Sequence, residues 1–202
     1  MSKQYSTTLR NAWLATYEST IGTAPKLRIY SGAPPANCAA AATGTLLIEM
    51  TLPSDWMGAP SGGSSALAGS WTGTVSADGT AGYYRIVDSA GTTVHEQGAI
   101  TRAFAITTSS ATAAASNILT FAATTGAAAA MSISGAGVES GATVLSVSPT
   151  TVTMSAASTA GVSSGVPIYF GDTSGDMWLQ STALTVGQTL TISARTLTAP
   201  GA

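Results

Sequence analysis

The stretch YYRIVDSAGTTVHEQ, Tyr83 to Gln97, decides how the chain is read. Tyr83 to Asp88 alternates, with Tyr84 and Ile86 on one face and Tyr83, Arg85 and Val87 on the other. Thr93 to Gln97 forms the answering run. Between them Ser89-Ala90-Gly91-Thr92 supplies a turn, with Gly91 able to take a positive φ. This is a β-hairpin, and its period of two recurs outward in both directions. Lys26 to Ser31 alternates, with Leu27 and Ile29 on one face. Leu46 to Leu52 sets Leu46, Ile48, Met50 and Leu52 against Leu47, Glu49 and Thr51, and Pro53 ends it. Trp71 opens a short strand, and Asp78-Gly79 marks a turn. Met177 to Gln180 and Thr189 to Thr196 read as strands. In the second, Leu190, Ile192 and Ala194 face in, while Thr189, Thr191, Ser193 and Arg195 face out.

One helix precedes these strands. Thr7 or Thr8 caps it, Leu9, Trp13, Tyr17 and Ile21 follow at four-residue spacing as its apolar stripe, and Gly22 stops it. The middle of the chain differs in kind. From Ala103 to Gly171 the only charged residue is Glu139, in a field of Ala, Ser, Thr, Gly and Val. Strand periodicity persists at Leu119 and Phe121, at Ile133, at Val144 to Val147, at Val152 and Met154, and at Val166, Ile168 and Phe170. The expected fold is therefore mainly β. Residues 1–103 and 172–202 form a host β-sandwich, jelly-roll-like, with one N-terminal helix, and residues 104–171 form a small inserted all-β domain.

Charged residues make up 8% of the 202, against about 25% in ordinary soluble domains. A chain this neutral suits an assembly that shares its surface with neighbours. Recurrent Val, Ile, Leu, Trp and Tyr and a net charge of only −2 argue against disorder. The seven Lys and Arg are scattered along the sequence, with only Lys26 and Arg28 close enough to share a strand face. Nucleic acid, which selects clustered basic faces, is not an expected partner. Residues 1–14 lack a continuous apolar signal core, and no stretch approaches the ~20 apolar residues that span a bilayer. Cys38 has no second cysteine to pair with.

No set of residues assembles into recognisable chemistry, so no catalytic, cofactor or metal residues are assigned. His95 and Glu96 are neighbours on a strand and point to opposite faces, so they form no dyad. Cys38 lies in a Pro/Ala loop without a basic neighbour and reads as an inert thiol. Gly161-Val162-Ser163-Ser164-Gly165 spells G-x-S-x-G but has no following helix and no histidine downstream. Gly135-Ala136-Gly137 lacks the spacing and the strand–helix context of a dinucleotide turn. Asp172 and Asp176 flank Thr173-Ser174-Gly175, an arrangement that suits an Asx turn and, alternatively, a calcium ion.

Several blocks resemble a family of tailed-bacteriophage and prophage virion proteins. They are Leu9-Arg10-Asn11-Ala12, Leu27 through Pro35 (LRIYSGAPP), Leu52-Pro53-Ser54-Asp55-Trp56, and Gly79 through Ile86 (GTAGYYRI). The last continues through Asp88 to Thr93 and His95 to Gln97-Gly98, and the closing Gly187-Gln188, Thr191-Ile192-Ser193 and Leu197-Thr198 are similar too. Shorter members of that family run almost directly from the hairpin to the Asp176-Met177 strand, which marks the intervening segment as extra. Part of that segment, residues 141–165, looks like the small β-modules of phage fibre and surface proteins. The resemblance implies a non-enzymatic virion component assembled in the host cytoplasm. The leading expectation is a capsid decoration or cement protein, a dimer or trimer seated on the major capsid protein. The alternative is a tail or fibre component that binds a host-surface receptor. Under either, exposed aromatic residues are the expected partner contacts, and Trp13, Tyr17, Trp56, Tyr83 and Tyr84 are the candidates.

Overall fold

The computed structural model describes residues 3–201. In chain order these form α1 (Thr7–Ile21), β1 (Lys26–Ser31), β2 (Leu46–Thr51), β3 (Ser64–Ala66), β4 (Trp71–Thr74), β5 (Gly79–Val87), β6 (Val94–Ser110), β7 (Ile118–Phe121), β8 (Ile133–Ser134), β9 (Val144–Val147), β10 (Thr151–Met154), β11 (Pro167–Gly171), β12 (Met177–Leu179), β13 (Ala183–Leu184), β14 (Thr189–Ile192) and β15 (Thr196–Thr198). The fold is mainly β, sandwich-like, with one helix. Among the described residues no helix is long and apolar enough to cross a membrane.

Two compact units emerge. One holds the chain up to Ala99 and again from Ala183 onward, and the other holds Ile100–Thr182. Composition sets the junctions near Phe104 and Asp172; the contacts set them at Ala99/Ile100 and Thr182/Ala183. The reason is a strand pairing that composition does not show. β12 lies parallel to β6, with Met177 opposite Ile100, Trp178 opposite Thr101 and Leu179 opposite Arg102.

In the first unit the antiparallel order is β2–β1–β5–β6, with β13 added at the start of β5. The hairpin closes as its turn chemistry demands. Gly91 sits at φ +78°, its N–H donates to the Asp88 carbonyl at 2.9 Å, and the Thr92 N–H donates to Asp88 Oδ1 at 2.8 Å. Two ribbons, β4–β14 and β3–β15, supply the second layer. β4 packs on β2 because Gly73 has no side chain: a Cβ there would lie 2.7 Å from Met50 Cγ and 3.3 Å from Ile48 Cδ1. Between the layers lie Leu27, Ile29, Ile48, Met50, Trp56 and Trp71, all fully buried. Each such side chain contributes about 1.5–3 kcal/mol by leaving water.

Four expectations for this unit are corrected. Leu47, read onto the polar face of β2, is buried, because residues 75–79 cover that face and the Ser76 N–H donates to the Leu47 carbonyl at 2.8 Å. The helix is capped by Ser6, which accepts from the Leu9 N–H. Its inward face is Arg10, Leu14 and Ile21, while Leu9 and Trp13 point out. Polar anchors set that rotation. Arg10 Nη2 donates to the Ala199 carbonyl at 3.0 Å, Asn11 Oδ1 accepts from the Gly63 N–H at 2.8 Å, and Glu18 Oε1 accepts from the Met57 N–H at 3.1 Å. Finally, the run Thr189–Thr196 breaks after Ile192, Ala194 is exposed, and Arg195 turns inward.

In the second unit, β6 from Ile100 onward pairs β12 on one side and β11 on the other, with Tyr169 opposite Ala105 and Phe170 opposite Phe104. β8 extends β11, and β7, β10 and β9 continue antiparallel from the end of β6. Leu119, Phe121, Ile133, Val144, Val152, Met154, Ile168 and Phe170 form one core cluster. These are the periodic positions read from the sequence, and the small residues between them make the turns.

Candidate functional site

The outward face of α1 exposes an apolar patch. Leu9 and Trp13 are 41% and 39% exposed, and Tyr5 packs edge-on against the Trp13 ring at 4.9 Å. Beside them is a groove of about 310 Å³ lined by Trp13, Thr16, Tyr17, Thr20, Ile21 and His95. Because Arg10, Asn11 and Glu18 tie the opposite face down, this surface is presented on a fixed support rather than a fraying helix.

At the groove a charged cluster joins three elements. Tyr17 Oη donates to Glu96 Oε2, and Tyr84 Oη and Arg195 Nη2 both donate to Glu96 Oε1. The Arg195 guanidinium also lies over the rings of Tyr84 and Trp71, 5.4 and 5.8 Å from their centroids. Burial and the negative charge of Glu96 push the Tyr17 phenol well above its ordinary range. For Arg195, burial opposes the charge, but Glu96 and the two phenols outweigh it and raise its pKa further. Both carboxylate oxygens are thus engaged by the protein's own donors. The arrangement fastens α1 and the C-terminal segment to β6.

Of the five aromatic candidates, only Trp13 is openly exposed and Tyr17 is half-buried at the groove. Trp56, Tyr83 and Tyr84, read as exposed anchors, are buried instead. Trp56 packs between Tyr17 and Trp71 at 5.7 and 5.8 Å, with Nε1 donating to the Gly22 carbonyl at 3.1 Å. Tyr83 stacks on Tyr30 at 5.0 Å and donates to the Thr43 carbonyl at 2.6 Å. Both faces of β5 are covered, so alternation there selects between two interiors rather than between core and solvent.

The remaining motifs fall as follows. His95 is half-buried and lines the groove, and Cys38 is a free, half-buried thiol. In the G-x-S-x-G string, Val162 is buried and bonds through its backbone to Thr112, while Thr108 Oγ1 donates to the Ser163 carbonyl at 2.8 Å; no helix follows among the described residues. Asp172 Oδ1 accepts from the Ser174 N–H at 2.9 Å, an Asx turn whose hydrogen bonds hold the carboxyl below its ordinary range. Among the described residues no three His, Cys, Asp or Glu side chains gather as a metal ion needs.

Sequence reasoning missed one feature outright: an open cleft of about 610 Å³ over β1 and β5, lined by Arg28, Tyr30, Arg85, Val87, the Cys38–Ala42 loop and the hairpin tip at Gly91–Thr93. Its arginines are far apart in sequence and meet only through strand register. Comparison with protein-family models, with curated proteins and with solved structures gives no match to this chain.

Proposed function

We propose that this chain is a structural protein of a tailed-bacteriophage particle, a capsid decoration or cement protein that seats on the shell of major capsid protein. The observation that carries this reading is the string resemblance of residues 27–35 and 79–98 to virion proteins. A very low charge content and the Leu9–Trp13 face on its fixed helix support it, since repeated contacts in a shell favour apolar patches that need no charge partner. In this reading α1 meets the shell and copies of the chain associate around a symmetry axis. A tail or fibre role is favoured by a different observation. In the second unit, Trp178 is 42% exposed and packs edge-on to Tyr169 at 5.9 Å, a platform on which a receptor sugar can stack.

Counting copies per purified particle, by quantitative peptide mass spectrometry against the major capsid protein, tests the proposal. Decoration requires on the order of hundreds of copies, as symmetric shells do. A few copies per particle would move the role to the tail, and absence from the particle would overturn the virion reading.

A further inference from the structure

The strand register builds a row of side chains across the first unit's sheet: Glu49 on β2, Arg28 on β1, Arg85 on β5 and Gln97 on β6, each directly opposite the next. Two arginines facing each other on neighbouring strands repel, so the pair needs compensation. Arg28 has it, with Nε donating to Glu49 Oε2 at 2.6 Å, and Lys26 Nζ shares the same carboxylate at 3.4 Å. Arg85 does not. It is only 3% exposed, and its Nη2 donates to the carbonyls of Asn37 and Ala40 at 3.2 and 2.9 Å and to Gln97 Oε1 at 2.9 Å. All three acceptors are neutral. Its Nε is buried without an acceptor, and no hydrogen bond is made by Nη1.

Holding the 37–40 loop explains one nitrogen of Arg85 and leaves a buried positive charge unmatched. Buried cations are ordinarily paired with an anion. Asp88, the other carboxylate near the hairpin tip, is turned to its own loop and accepts from Thr92. Lys26 and Arg28 thus share the one carboxylate of Glu49, Arg85 has none, and the two arginines line an open cleft. Guanidinium groups match planar carboxylates in geometry as well as charge. The cleft is open to solvent and walled by the hairpin tip and the Cys38–Ala42 loop, which admits a side chain carried on an extended segment.

The geometry points to a carboxylate-binding site at the Arg28–Arg85 pair, filled by an aspartate or glutamate from an acidic segment of a partner protein. This assignment does not depend on the virion reading, and its failure would leave that reading untouched.

Cys38, in the cleft wall, provides the readout. Its alkylation by uncharged iodoacetamide is timed with the full chain at low ionic strength, in the presence of hexaglutamate, hexaglutamine, succinate or inorganic phosphate. At near-saturating hexaglutamate the rate falls by about fivefold, corresponding to roughly four-fifths occupancy, while hexaglutamine leaves it unchanged and added salt restores it. Arg28→Gln and Arg85→Gln each remove the protection. Arg28 is partly exposed, so its variant decides the matter even if Arg85→Gln fails to fold. Equal protection by hexaglutamine, protection that survives Arg28→Gln, or no protection by any probe overturns the site. Protection by phosphate or succinate as strong as by hexaglutamate overturns the partner segment in favour of a free anion.

Discussion

The two units obey the same strand periodicity but satisfy their interiors by different chemistry. The first buries large aromatics, Trp56, Trp71, Tyr83 and Tyr84, together with the charged groups Arg10, Arg85 and Arg195. The polar groups buried in the second are hydroxyls: Thr108, Thr112, Thr124 and Ser158. Each donates to a backbone carbonyl, of Ser163, Ile118, Ser148 and Gly137, at 2.5–2.9 Å. A hydroxyl has one proton to place and finds a carbonyl in almost any turn. A buried charge needs one particular partner, often far away in the chain, as Glu96 and Arg195 are. The first unit therefore concentrates its specificity in a few long-range contacts, and the second spreads it over many interchangeable ones.

The largest expected effect tests that contrast directly. Glu96→Gln leaves Arg195 buried against Trp71 and Tyr84 with its charge unmatched and takes the charged acceptor from two phenols. We expect about 3 kcal/mol of destabilisation in urea unfolding, the scale for breaking a buried pair from one side. The counterpart in the second unit is Ser158→Ala, which frees one Gly137 carbonyl and should cost about 1 kcal/mol. Equal costs would erase the distinction.

Alkaline pH separates the two chemistries without mutation. In the unfolded chain Tyr17 ionises near its ordinary value of about 10. In the fold, burial and Glu96 hold the phenol protonated well above that. The folded state then keeps a proton that the unfolded state releases, so stability falls as pH rises past about 10 and is undiminished below it. Hydroxyls such as those buried in the second unit do not titrate in this range. Urea midpoints followed by tryptophan fluorescence between pH 8 and 11 should fall for the wild-type chain, and the fall should flatten in Tyr17→Phe. An unchanged slope in that variant would assign the alkaline loss to another group.

How much of this was legible in the sequence follows from the range of each signal. The hairpin at Tyr83–Gln97 is local, with its turn residues and alternation inside one window, and the structure forms it with Asp88 and Gly91 in the turn. The strands around Leu119, Val144, Val152 and Ile168 were legible for the same reason. The helix was legible as a helix but not in its orientation, because apolar spacing favoured Leu9 and Trp13 while Arg10, Asn11 and Glu18 had partners at Ala199, Gly63 and Met57 that no local pattern reveals. Strict alternation points Arg195 outward, and it fails because β14 ends at Ile192. The aromatic candidates failed in a related way. Periodicity says which residues share a face, but not that both faces of β5 are covered. The Arg28–Arg85 pair depends on the register of β1 against β5, and scattered basic residues gave no hint of it.

The smallest expected effect on stability carries the sharpest functional contrast. Each unit displays one exposed tryptophan, Trp13 in the first and Trp178 in the second. Trp13 loses an edge contact with Tyr5 on truncation, and Trp178 loses one with Tyr169 and the hydrogen bond from Nε1 to the Gly175 carbonyl at 2.9 Å. With much of each ring already in water, Trp13→Ala and Trp178→Ala should each cost about 1 kcal/mol or less. Truncating a buried tryptophan such as Trp56 instead costs about 3–5 kcal/mol. Both surface variants therefore remain folded, and what they lose reports contact rather than stability. If α1 is the face that meets the shell, particles grown with Trp13→Ala carry at least about tenfold less of the protein, the ratio for losing one central aromatic contact, while Trp178→Ala is incorporated at the wild-type level. If the second unit reads a receptor, Trp178→Ala particles assemble fully and adsorb poorly to host cells. Loss of incorporation in Trp178→Ala alone would move the docking surface from the first unit to the second.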